Sequence, residues 1–124
     1  MKKISLCLLF TLIFLSVISP LNAAVYLTEG FEGGTLPTGW SNEYVIGTVD
    51  WTYSYGGVNE NPPAAHTGAY NALFSTDNYN GETTRLVTPS MDLSTAVNPC
   101  LTFWHAQSKW INAQGILRVY YKAA

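Results

Sequence analysis

The stretch Arg85-Leu-Val-Thr-Pro89-Ser-Met-Asp-Leu-Ser-Thr-Ala-Val-Asn-Pro99-Cys-Leu-Thr-Phe-Trp-His105 decides the fold. A short apolar strand, 83–88, stops at Pro89, and a second, 101–107, begins after Pro99. Proline has no N–H to give to a ladder, so each proline marks a strand boundary. The polar, non-helical run between them is too long for a tight hairpin and reads as a crossover between two sheets. The expectation is an all-β fold, an antiparallel two-sheet β-sandwich.

The rest of the chain agrees. No window carries apolar residues at helical spacing with matching caps, and Gly, Pro, Asn, Ser and Thr recur every few residues. Further strands are expected at 25–28, 42–46, 50–55, 69–75 and 116–122. Trp51, Tyr53 and Tyr55 alternate onto one face, as do Tyr70, Ala72 and Phe74. Leu117, Val119 and Tyr121 alternate against Arg118, Tyr120 and Lys122 in the same way. Residues 56–68, with Gly56-Gly57 and Pro62-Pro63, read as a long irregular loop.

Residues 1–23 read as a cleaved export signal. Lys2 and Lys3 precede the uncharged apolar run 4–18, Pro20 breaks it, and Leu21-Asn22-Ala23 offers a cleavage site. The run falls short of the ~20 residues of a bilayer span, and no later segment could span a membrane. Cleavage removes two of the six basic residues and none of the eight acidic ones, leaving four against eight, a net charge of −4. That balance argues against a nucleic-acid partner, which needs a basic patch. Cys100 is the single cysteine left, so the fold stands without an internal disulfide. It is expected to be a small buried apolar residue.

Catalytic chemistry finds little support. No Gly-x-Ser-x-Gly, His-Glu-x-x-His or Cys-x-x-Cys motif occurs. Glu29, Glu32 and Asp50 are carboxylates a glycosidase could use, but hydrolysis needs two of them facing one cleft at a set separation. His66 is expected to hydrogen-bond within its loop, and His105 to lie on a strand face with Leu101 and Phe103. Trp51 and Trp104 are expected in the core. Trp110, in the loop 106–115 beside Lys109 and Asn112, is the leading candidate for a ligand contact, with Tyr55 and Tyr79 near other loops.

Seven short motifs run in a fixed order: Glu29-Gly-Phe-Glu-Gly-Gly, Leu36-Pro-Thr-Gly-Trp40, Val49-Asp-Trp-Thr-Tyr53, His66-Thr-Gly-Ala-Tyr70, Leu86-Val-Thr-Pro89, Cys100-Leu-Thr-Phe-Trp-His105 and Gly115-Ile-Leu-Arg-Val119. This set resembles the MAM-like jelly-roll superfamily, and within it the bacterial choice-of-anchor J or cleaved adhesin type domain. The resemblance implies a concanavalin-like or MAM-like jelly roll, of which residues 24–124 carry the first two-thirds. It implies a non-catalytic, exported adhesion or binding module of a larger bacterial surface protein, facing a host or matrix protein or a glycan outside the cell. The alternative is a carbohydrate-binding accessory domain of a secreted protease or glycoside hydrolase. It also implies structural calcium, held by Glu32, the acid after the first-strand Phe, with Glu29 second and carbonyls of 64–66 assisting.

Overall fold

The computed structural model describes residues 24–76, 81–110 and 113–123. The export signal expected over 1–23 and the ligand-contact candidate Tyr79 lie outside them.

Strands are the regular structure here. The one helical element among the described residues is a 3-10 turn at Val58–Glu60. Among the described residues six short strands pair two by two into antiparallel sheets: β1 (Ser41–Ile46) with β4 (Thr83–Val87), β2 (Thr52–Ser54) with β3 (Asn71–Leu73), and β5 (Lys109–Trp110) with β6 (Ala113–Gln114). Among the described residues no helix is long and apolar enough to cross a membrane.

The β1–β4 ladder runs from Ser41 opposite Val87 to Tyr44 opposite Thr84, then shifts by one residue so that Ile46 faces Thr83. Val45 is the extra residue of this bulge. Glu43 stands opposite Arg85, and the two form a cross-strand ion pair. Thr84, 7 % exposed, is the one buried residue among those described. Its hydroxyl donates to the Val49 carbonyl at 2.6 Å, and its own carbonyl accepts the Trp51 indole N–H at 3.0 Å. These two bonds fasten the start of the β2 segment to β4.

The β2–β3 register brings the two predicted aromatic faces together. Tyr53 opposes Ala72. On either side, Trp51 lies 5.4 Å from Phe74 and Tyr55 lies 4.5 Å from Tyr70, centroid to centroid. Phe31 packs 5.6 Å from Tyr53 on this layer, and Trp40 meets Phe31 edge-on at 5.6 Å. This half-buried aromatic layer is the nearest thing to a core: no apolar residue among those described is fully buried.

Several expectations are corrected. Residues 25–28, 101–107 and 116–122 form no strands, apart from the start of the Lys109–Trp110 hairpin just beyond 107. Alternation specifies which side chains share a face, but a strand also needs a neighbour to complete its ladder. Cys100 is exposed rather than buried. Trp104 is 77 % exposed and so is no core residue. Trp110 sits on β5 of a small hairpin, not in an open loop.

Candidate functional site

Three places on the molecule gather side chains able to do chemistry. The first is the turn that carries Glu32. Phe31 takes a left-handed backbone (φ 64°), and its N–H donates to the Glu29 carboxylate at 2.5 Å. The turn closes with Gly34 N–H on the Phe31 carbonyl at 3.0 Å. It aims Glu32 at the approach to β3, where its carboxylate accepts the Ala69 N–H at 2.8 Å and the more distant Tyr70 N–H at 3.5 Å. Gly68, at φ 70°, lies directly under that carboxylate, and a Cβ there would collide with it. Glu32 is thus a clamp between the first turn and β3.

Tyr70 links this clamp to a sequence-named candidate. Its hydroxyl meets that of Tyr55 at 2.8 Å, while the Tyr55 ring remains 65 % exposed. That hydrogen bond, with the nearby Tyr55 charge, burial and Glu32, holds the Tyr70 phenol above the usual tyrosine range. Burial, then the charges of Glu29 and Asp50, pushes the Tyr53 phenol up as well. Tyr55 and Glu32 therefore meet through Tyr70. Calcium needs six to eight oxygens. Among the described residues no three His, Cys, Asp or Glu side chains gather to supply them, and Glu29 and Glu32 both engage backbone amides.

The second place is a mostly apolar cleft of about 160 Å³ between Leu27, Phe31, Trp40, Leu101 and Phe103, with Glu29 at its wall. The third is a more polar cleft of about 220 Å³ between the 56–68 loop and the segment leading into β5. Val58, Asn59 and Asn61 line it on one side, Ser108 and Lys109 on the other. The loop wall is set by a tight fold in which Gly57 N–H donates to the Pro62 carbonyl at 2.8 Å and Asn61 N–H to the Val58 carbonyl at 3.2 Å. A Cβ on Gly57 would strike the Asn61 carbonyl, so only glycine fits.

The same two segments meet again at His66 and Trp104, whose rings stack face to face with centroids 3.9 Å apart and planes 11° from parallel. His66 was expected to serve its own loop; instead it supports an indole from the other segment. His105 lies exposed, its ring 6.1 Å from that of Phe103. Trp110 stands on β5, and its neighbour Lys109 lines the polar cleft. The sequence reading missed Trp104, assigned to the core. The available signal was weak: a tryptophan between a phenylalanine and a histidine, after a proline boundary. Comparison with protein-family models, with curated proteins and with solved structures finds no match to this chain.

Proposed function

We propose that this chain is a non-catalytic binding module, an exported β-sandwich of jelly-roll type whose work is adhesion to a protein or glycan at the bacterial cell surface. The observation that carries the reading is the amount of aromatic and aliphatic surface left open. Tyr55, Leu101, Phe103, Trp104, Ile116, Val119, Tyr120 and Tyr121 are each more than half exposed. Seven of these eight fall between Leu101 and Tyr121, and open apolar surface concentrated in one part of a chain favours a surface that meets partners. The antiparallel sheets, the seven ordered motifs and the acidic net charge of −2 for the whole chain fit a module of this class.

The test is solid-phase binding of the full chain to immobilised matrix proteins and to glycan-coated surfaces. Saturable binding to either is the expected outcome; indifference to both removes the adhesion reading. Calcium would rest on Glu32, with Glu29 second and the carbonyls of 64–66 assisting. If it belongs to the fold, millimolar calcium raises Tm above its value in EDTA by mass action; an unchanged Tm removes the metal. A glycan ligand is favoured by one specific feature, the stacked Trp104 indole.

A further inference from the structure

We infer that Trp104, held flat by His66, and the polar cleft lined by the same two segments form a binding site for a pyranose-bearing glycan. The inference rests on the binding-module reading and gives it a ligand class and an address. One face of the Trp104 ring is covered by the His66 imidazole at 3.9 Å, with the rings 11° from parallel. The residue is still 77 % exposed, so its other face is open. A free tryptophan side chain samples several rotamers, and a ligand that fixes one loses that freedom on binding. Here the imidazole has fixed the plate beforehand.

The chemistry of the plate selects the ligand. An aromatic face carries negative quadrupolar potential. The axial C–H bonds of a pyranose form a flat, weakly positive, apolar patch that matches it, while the ring's hydroxyls point outward for hydrogen bonding. The segments that supply His66 and Trp104 also line the cleft of about 220 Å³, where Asn59 and Asn61 bring amides, Ser108 a hydroxyl and Lys109 an ammonium. Amides give and accept hydrogen bonds, as vicinal hydroxyls require. The volume lies below the ~300 Å³ at which pockets for drug-sized ligands begin, which suits one ring of a chain rather than an enclosed molecule. A nucleic acid would use the same stacking, but it needs a basic track, and this chain is net acidic. An apolar protein patch would use the cleft by Trp40 instead, which Leu101 and Phe103 line and Trp104 does not.

The test labels the full chain with 5-fluorotryptophan and follows the fluorine resonances of its four tryptophans during titration with cellohexaose, a neutral probe, and hexagalacturonate, an acidic one. The Trp104 resonance, assigned by Trp104→Phe, should move most with at least one probe. Trp104→Ala should weaken binding about tenfold, the loss of one aromatic contact. His66 is a positioning residue: His66→Ala should weaken binding a few-fold and His66→Phe, which restores a stacking ring, should recover it. Lys109→Gln should weaken hexagalacturonate and spare cellohexaose. The site is overturned if neither probe binds, if another tryptophan moves and Trp104 does not, or if Trp104→Ala binds as the parent does. Loss of sugar binding with retained adhesion to a protein-coated surface overturns this site alone; loss of both overturns the module reading as well.

Discussion

Residues 29–88 and residues 89–123 are built from similar sequence, yet the structure treats them differently. The first region holds two ladders, the Glu32 clamp, the Trp51–Thr84–Val49 bonds and three groups of packed aromatic rings. The second holds, among the described residues, one hairpin of two-residue strands and several of the most exposed apolar side chains. Both contain aromatic and β-branched residues in alternation. What separates them is a neighbour: β2 finds β3, and β1 finds β4, but 101–107 and 116–122 find no strand to pair with among the described residues. β-propensity describes how well a side chain suits a pleated, half-covered surface, and it is realised only when the covering surface is there.

The comparison predicts its largest contrast between two tryptophans. Trp51→Ala removes an indole that donates to a carbonyl of buried Thr84 and packs on Phe74, and should cost about 2–3 kcal/mol of unfolding free energy. Trp104→Ala removes a ring of the same size from the open region and should stay within about 0.5 kcal/mol of the parent. Urea denaturation of the two variants measures both. Equal losses would show that the second region contributes to the fold as much as the first.

The clamp is the next lever. Glu32→Ala frees the Ala69 and Tyr70 amides, which water can reach, for a cost of about 1 kcal/mol. Gly68→Ala forces an L-residue into a left-handed backbone and displaces the same carboxylate, for about 1–2 kcal/mol. Because both changes break one contact, the double variant should cost clearly less than the two singles added. Strict additivity would mean that Glu32 and Gly68 act independently and that the clamp is not what joins the first turn to β3.

Much of the first region was legible in the sequence. The alternation of Trp51, Tyr53 and Tyr55 and of Tyr70, Ala72 and Phe74 anticipated the aromatic faces that the register then joined, because β2 and β3 are linked by a loop that returns one onto the other. Strand 83–88 was legible from Pro89, which ends the ladder. The Glu32 clamp was not, since a carboxylate three residues after another looks the same whether it meets a cation, solvent or a distant backbone amide. Only the turn at Phe31, with its left-handed backbone, selects among these. Nor was the His66–Trp104 stack legible. It joins residues far apart in the chain, and the alternation of 101–107 placed Trp104 in a core rather than against a loop histidine.

A smaller effect lies where the two regions touch. Arg85 pairs with Glu43 across the β1–β4 ladder and lies 5.5 Å from the centre of the Tyr120 ring. Both contacts are solvent-exposed, so each contributes at most about 1 kcal/mol. Arg85→Lys keeps the charge but loses the planar guanidinium that stacks on the ring. It should leave the protection of β1 and β4 amides against hydrogen exchange unchanged, while the Tyr120 ring resonances move toward those of an unstructured tyrosine. Movement of the β1 amides instead would show that the ion pair, rather than the backbone ladder, holds this sheet.

The smallest effect is a titration confined to the first region, and it carries its own control. The Tyr44 hydroxyl donates to Asp50 at 2.5 Å, and Asn42 donates to the same carboxylate oxygen at 2.8 Å. The hydrogen bond to Asp50 leads, followed by slight burial and the Asp50 charge, in raising the Tyr44 phenol above the ordinary tyrosine value. A folded-state pKa above the unfolded one favours the protonated form. Its contribution to stability is therefore complete below the unfolded tyrosine value and lost as pH rises through the higher, folded one. Carbon-13 NMR of the tyrosine rings should show Tyr44 ionising late, and Asp50→Asn should bring it back toward the ordinary range. Asp50 also acts on Tyr53, but there burial leads and the Asp50 charge comes third, so Tyr53 should move less. Tyr70, raised chiefly by its bond to Tyr55, should not move at all. A shift of all three together on replacing Asp50 would mean that the aromatic layer reorganises as one body, and that the acid beside β1 supports the whole layer instead of a single phenol.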